Sequence, residues 1–489
     1  MTLEPVDARP AAAAEVSPAD NRVIWLLLAA AFVAILNETT MGVAIPHLID
    51  DLSITAVAAQ WLTTAFMLTM AIVIPITGFL LQRLTTRTVF VAAMSLFTAG
   101  TLIAFLSPGF GMLVVARVVQ ASGTAIMMPL LMTTLMTVVP PHARGRMMGR
   151  ISIVMALAPA IGPALSGLVL DSLGWRWIFG IVLPIAVVAL LVGARWIRNI
   201  GETTHTRIDV ASVVLSAFGF GGIVFGLSQI GASETGGAAA AWALPVSLGV
   251  GGVSLALFVA RQLRLQRQDR ALLDLRVFGS ANFSLSVAQF AVLSFAFFGA
   301  ITVLPLYMQR AAGMTAFETG LVVLPGSLAM GFAGPLIGRI YDRWGTRVLV
   351  VPGSALTVSL LWVFTTLGQT TPIGYLVLLQ TLLSLGLAMS FTPLFTASLG
   401  SVPPQLYSHG SAVVSIVQQV AGAAGIAVMI TIMTGVYDGA LASGVTDAAA
   451  WAAGSRVAFL IAAIVALPTV VGAFLIRKPA DDLAVGVAS

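Results

Sequence analysis

Fourteen stretches of mostly apolar residues follow one another along the chain, at about 23–46, 58–81, 88–107, 111–138, 148–170, 177–197, 210–229, 242–262, 283–308, 317–338, 348–368, 374–399, 411–435 and 456–476. A run of about 20 such residues is what a helix needs to cross the hydrocarbon core of a bilayer. Composition leaves no soluble alternative: of 489 residues, 58% are hydrophobic and 9% charged, whereas soluble chains carry roughly 25% charged residues. The sequence therefore predicts an all-α integral membrane protein with fourteen transmembrane helices. Too little chain remains between them for a soluble catalytic domain. With no cysteine and four histidines standing apart (His47, His142, His205 and His409), thiol, redox and zinc chemistry drop out, and neither a metal nor a cofactor is expected. No Gly-x-x-x-x-Gly-Lys loop is present to cradle a nucleotide phosphate. A membrane-embedded enzyme would need clustered acids or histidines at one membrane face, and the sequence has none.

Orientation follows from the arginines, because short cytosolic loops collect Lys and Arg. With the N-terminus inside, 20 of the 24 basic residues fall in inner segments; only Arg176, Arg310 and Arg456 fall outside, and Arg117 lies within a span. Both termini are then cytosolic. Residues 1–21 are Ala/Pro-rich, lack the basic start of a signal peptide and read as a cytosolic tail. The net charge of +5 is accounted for by this bias, so no nucleic-acid partner is expected. The partners implied are the lipid bilayer, a small-molecule substrate and protons, with the chain working as a monomer.

An internal repeat appears at a shift of 260 residues. Gly78-Phe79-Leu80-Leu81-Gln82-Arg83-Leu84-Thr85-Thr86-Arg87 aligns with Gly338-Arg339-Ile340-Tyr341-Asp342-Arg343-Trp344-Gly345-Thr346-Arg347. Nearly the same displacement sets Pro46 on Pro305, Arg117 on Gln380, Gly123 on Gly386 and Pro140-Pro141 on Pro403-Pro404. The implied organisation is a tail at 1–21, a six-helix bundle at 22–200, two inserted helices at 201–270, a second six-helix bundle at 271–478 and a tail at 479–489. Parallel repeats of this kind serve alternating access around a midplane site.

These features together resemble the fourteen-span drug:proton antiporter group of the major facilitator superfamily. The resemblance runs from Arg22 to about Lys478. Span 1 carries Leu36-Asn37-Glu38-Thr39-Thr40, with the acid one position from where the group places it. The loop motif Gly-x-Leu-x-Asp-Arg-x-Gly-Arg-Arg is degraded after span 2, where Gln82 and Thr85 stand for Asp and Gly, and is fuller after span 10. Arg117-Val118-Val119-Gln120-Ala121-Ser122-Gly123 in span 4 is similar to the intramembrane Arg-x-x-Gln-Gly motif. Ala158-Pro159-Ala160-Ile161-Gly162-Pro163-Ala164-Leu165-Ser166-Gly167 in span 5 is similar to the motif of exporters. The resemblance implies proton-coupled multidrug efflux in a bacterial inner membrane. A dedicated exporter of one physiological substrate, such as a lipid, siderophore or amino acid, is the alternative.

Candidate residues follow. Glu38 is the one acid well inside a span, where an ionised group costs about 3 kcal/mol, and it reads either as a proton-coupling carboxylate or as a hydrogen-bonding partner between helices. Arg117 keeps its proton and needs a carboxylate, carbonyls or water to face. Both lie roughly 10 Å from the outer ends of their spans at 1.5 Å per residue, so a Glu38–Arg117 coupling pair is expected in the cavity that spans 1 and 4 line throughout the superfamily. Asn37, Gln120, Gln289, Gln380 and Gln418, with Phe32, Phe295 and Phe298, are candidates for the substrate cavity; packing between helices is the competing role for each. Pro159, Gly162, Pro163 and Gly167 allow close helix approach and a bend in span 5. Gly78, Arg83, Arg87, Gly338, Asp342, Arg343, Gly345 and Arg347 are candidates for cytosolic gating contacts.

Overall fold

In the computed structural model, residues 17–54, 56–200, 209–229 and 237–479 are described. They form fourteen long α-helices: α1 (Pro18–Leu52), α2 (Ala56–Arg83), α3 (Thr86–Phe105), α4 (Phe110–Val138), α5 (Arg144–Leu173), α6 (Arg176–Trp196), α7 (Val210–Ser228), α8 (Gly237–Leu265), α9 (Ala281–Leu306), α10 (Ala316–Trp344), α11 (Arg347–Phe364), α12 (Ile373–Gly400), α13 (Tyr407–Ala442) and α14 (Asp447–Ala473). Among the described residues, thirteen helices are long and apolar enough to cross a membrane. The other, α5, opens on Arg144, Arg146 and Arg150, is 30 residues long, and packs between α1 and α10. The protein is a multi-pass membrane protein.

Helix starts follow local chemistry. The side chain of Thr85 caps α3 by accepting from the Thr88 amide, Asp209 caps α7 through Ser212, and Thr315 with Glu318 forms a reciprocal capping box on α10. At the other end of α10, Gly345 has φ 83° and ψ −168°, a positive-φ conformation that ends the helix at little cost only for glycine.

Helices α1–α6 pack among themselves, as do α9–α14, and the two sets meet chiefly where α5 lies on α10 and α2 on α13. The helices between them, α7 and α8, pack on each other, and α7 also lies against α2 and α13. Along α8, Trp242, Val246, Val250, Val253 and Leu257 are exposed, a stripe at helical spacing that faces lipid. The pair is tied down at one end. Arg261 donates to Asp209 at 2.6 and 2.8 Å, Gln262 donates through Nε2 to Ser212 Oγ at 2.7 Å, and Gln262 Oε1 accepts the Leu272 amide at 2.8 Å. The Arg261 guanidinium, helped by hydrogen bonds from Ser212, holds the Asp209 carboxyl well below the usual carboxylate range. Beyond it, Arg276 is held between Asp269 and Asp274, which fixes the linker leading into α9.

Candidate functional site

Charge is scarce in the middle of the first bundle, so the two ionisable groups there define its chemistry. Arg117, on α4, is 1% exposed. Its Nη1 donates to Gln120 Oε1 at 2.8 Å, its Nε to the Leu62 carbonyl at 3.4 Å, and its guanidinium lies 4.0 Å from the centroid of the Phe66 ring. Gln120 in turn donates to Thr101 Oγ1 at 2.8 Å, and the Thr101 hydroxyl donates to the Phe97 carbonyl at 2.7 Å. Glu38, half-buried on α1, makes no hydrogen bond to any described residue. Each of Glu38 and Arg117 feels the other as its only charged neighbour among the described residues. They are not in contact: no ion pair within 4.0 Å joins them.

Next to Glu38, Asn37 is 1% exposed, and both of its amide atoms lack a hydrogen-bond partner among the described residues. Such a group loses one to three kcal/mol of desolvation energy, roughly, until something pairs it. The same turn of α1 is where α5 crosses. A Cβ on Gly162 would strike the Thr39 hydroxyl, and Ser166 donates to the Thr40 carbonyl at 2.9 Å. The small residues of the α5 motif thus press on the turn that carries the acid; the side chains of Pro159, Pro163 and Gly167 lie outside the described residues.

The second-half candidates divide. Gln380 is buried on α12 with an unpaired Oε1, beside Gly326 of α10. Gln289 departs from the cavity expectation: its Nε2 donates to the Thr469 carbonyl of α14 at 3.1 Å, against Gly472. It joins α9 to α14 because an amide in a lipid-embedded bundle is stabilised by any free carbonyl within reach. Gln120 also departs from that expectation, being fully buried between Arg117 and Thr101. Gln418 is half-buried on α13, and Phe32 is half-buried against the main core. Phe298 packs its ring on Gly422, while the backbone of Phe295 backs Gly425. An aromatic group that the sequence did not single out as a unit links α9 and α12: Phe290, Phe297 and Phe391, with centroids 5.0 and 5.8 Å apart across the Phe391 contacts, extend to Phe298 and Phe395.

At the arginine-rich end the two halves are latched. Gly145 and Gly149 on α5 meet Gly334 and Gly338 on α10 so closely that a Cβ on Gly149 or Gly338 would overlap the opposing backbone. The Asp342 carboxylate accepts the Gly145 and Arg146 amides at 2.8 Å each, placing an anion on the positive N-terminus of α5. Deeper in, Ser152 and Thr392 share a hydrogen bond of 2.8 Å. The other crossing mirrors this one. Gly78 packs on His409 and Gln82 donates to the Gln405 carbonyl, on the short turn that leads into α13, at 2.7 Å. Arg144 adds a bond to Tyr407 at 3.2 Å. Of the expected gating arginines, Arg347 donates to the Ile476 carbonyl and Arg343 stacks near Trp344; Arg83 and Arg87 are exposed. Gly345 lies against Lys478, whose Nζ donates to the Asp342 carbonyl at 2.9 Å. No hydrogen bond joins the two halves at the opposite end among the described residues.

Known proteins resemble this chain in sequence and in fold. The chain matches the Major Facilitator Superfamily over residues 27–426. It is 40% identical over 457 residues to the uncharacterized MFS-type transporter YcnB of Bacillus subtilis, covering 94% of this chain and 95% of that one. It is 40% identical over 467 residues to the lincomycin resistance protein LmrB of the same organism, covering 93% and 95%. Among solved structures, the human organic anion transporter MFSD10 (TETRAN) superposes with a TM-score of 0.68 at 14% identity, over 94% of this chain and 100% of that one. With a fold shared with that solved transporter, a sequence match over most of its length and relatives aligned nearly end to end, the chain belongs to the Major Facilitator Superfamily of transporters.

Proposed function

We propose that the protein exports amphipathic drugs or other toxic compounds by alternating access, in exchange for protons. The observation that carries this reading is that Glu38 on α1 and Arg117 on the neighbouring α4, the ionisable groups deepest in the first bundle among the described residues, make no ion pair, with Glu38 on the turn against which α5 packs. Protonated, Glu38 is neutral and compatible with its half-buried site. Deprotonated, it exposes a negative charge that a cationic substrate or Arg117 neutralises, so substrate and proton compete for one carboxylate. The unpaired amide of Asn37 offers a donor and an acceptor beside it. Support for drugs as cargo comes from relatives named for lincomycin resistance and, at 29% identity, for multidrug resistance.

Helix α5 gives the site a path to the gate. Gly162 touches the Glu38 turn, and Gly145 sits at the α10 latch 17 residues away, about 26 Å along a helix. The arginine-rich end is cytosolic by the positive-inside bias. With that end latched, the structure is then an outward-facing state in a bacterial inner membrane, with both termini inside and one chain forming the whole transport unit. One proton moving down 100 mV supplies about 2.3 kcal/mol, enough for roughly a 50-fold substrate gradient.

The test is ethidium efflux and lincomycin susceptibility in cells expressing the protein or Glu38→Gln, with and without a protonophore. Protonophore-sensitive efflux that Glu38→Gln abolishes at equal expression is the expected result. Export of neither compound, with a single other substrate found in a broad panel, would replace drug efflux by the dedicated-exporter reading.

A further inference from the structure

We infer that Thr101 and Gln120, with Phe66, are positioning residues that hold Arg117 back from Glu38, and so set the proton concentration at which the transporter loads. This rests on the coupling role given to Glu38 above. The argument is one of hydrogen-bond polarity. Thr101 has a single proton to donate, and it goes to the Phe97 carbonyl at 2.7 Å. Its oxygen is therefore left as an acceptor, so Gln120 must present Nε2 to it at 2.8 Å and turn Oε1 toward Arg117 at 2.8 Å. Each of Thr101, Gln120 and Arg117 is at most 1% exposed, so no water competes for these bonds. The Phe66 ring, 4.0 Å from the guanidinium carbon, and the Leu62 carbonyl complete the cage. Arg117 thus has its cation neutralised by dipoles on α2 and α4 rather than by the carboxylate it faces. The carboxylate feels the field of Arg117 without direct ion pairing, and keeps a proton affinity that an ion pair at contact distance would abolish.

No other titratable group competes at that depth among the described side chains. On the helices packed against α4, the remaining ones lie toward the ends: Asp20, Arg22 and Asp51 on α1, Arg83 on α2, Arg87 on α3, and His409 and Asp438 on α13. On the helices packed against α1, Arg144, Arg146 and Arg150 open α5, and Arg176 and Arg195 lie at the ends of α6; the side chains of His47, Asp50 and Asp171 lie outside the described residues.

The experiment is the pH profile of ethidium transport in proteoliposomes for the unmodified protein, Thr101→Val, Thr101→Ser, Phe66→Leu, Arg117→Gln and Glu38→Gln. Thr101→Val keeps the shape and removes the hydroxyl, freeing Gln120 to rotate and Arg117 to close on Glu38. The expected result is a midpoint shifted to lower pH by about one unit, a tenfold higher proton concentration. Phe66→Leu shifts the same way, Arg117→Gln shifts the opposite way, and Thr101→Ser restores the original midpoint. An unchanged midpoint in both folded Thr101→Val and Phe66→Leu, or a shift in the direction of Arg117→Gln, overturns the inference. Glu38→Gln separates the two levels. A Glu38→Gln without transport at any pH, together with an unshifted Thr101→Val, removes only the positioning roles; a Glu38→Gln that transports with the original pH profile removes the coupling role itself.

Discussion

At the scale of single residues, glycine and aspartate decide more than the bulky apolar side chains do. Gly162 is the point at which α5 touches the turn of the coupling acid, and a Cβ there strikes the Thr39 side chain. Gly162→Ala is expected to cost about 1–3 kcal/mol through overpacking, read as a lower melting temperature in detergent and reduced efflux. Thr39→Ala, which removes the struck hydroxyl, should recover part of the loss in the double variant, since the two substitutions share one contact. Asp342 makes a different contribution, an anion on the N-terminal amides of α5. Asp342→Asn should weaken the latch by about 1 kcal/mol, roughly a fivefold change in the ratio of latched to unlatched molecules. The chain has no cysteine, so spin labels on cysteines introduced at the exposed Arg83 and Trp344 positions report that ratio without background. An unaltered distance distribution would exclude Asp342 from the latch.

At the scale of elements, the pairing of α5 with α10 was legible in advance only in part. Gly338 and Asp342 stood out through the repeat, but their partners Gly145 and Gly149 did not, although two glycines four apart on each helix are the spacing that lets backbones touch. Gln289 had two open roles, lining the cavity or packing between helices. A polar residue inside a span marks something that must be paired, and sequence alone does not say whether the pair is substrate or, as here, the Thr469 carbonyl. On α4, Met127, Met132 and Met136 are buried in the core, so their softness serves packing. Gly149→Leu should force α5 off α10, because its side chain would enter the Gly334 backbone, and should lengthen the same label distance more than Asp342→Asn does. For the inserted pair, Asp209→Asn removes the ion pair with Arg261. Because the Arg261 side chain is 41% exposed, the cost is about 1 kcal/mol or less. The native Asp209 carboxyl lies below its unfolded value near 3.9. Its contribution is therefore complete at neutral pH and is lost only as the pH falls below about 4. Melting of the unmodified protein and of Asp209→Asn should thus differ by a constant amount from pH 8 to pH 5, and converge in stronger acid.

At the scale of the whole molecule, apolar length and arginine placement carried the fold, since a bilayer admits few architectures for a chain so poor in charge. The repeat of the two halves carried the latch only in outline: α2 meets α13 where Gln82 donates to the Gln405 carbonyl, and α10 meets α5 where Asp342 accepts the Gly145 and Arg146 amides. What the sequence could not carry was distance. Glu38 and Arg117 were expected to pair and instead face each other without contact, because Gln120, Leu62 and Phe66 occupy the guanidinium. In the proposed antiport, that separation leaves Glu38 free to take up a proton. The most direct test is proton flux in proteoliposomes holding a pH-sensitive dye, driven by an imposed ethidium gradient. The account predicts proton movement opposite to ethidium for the unmodified protein and none for Glu38→Gln. Equal proton flux in both would contradict it.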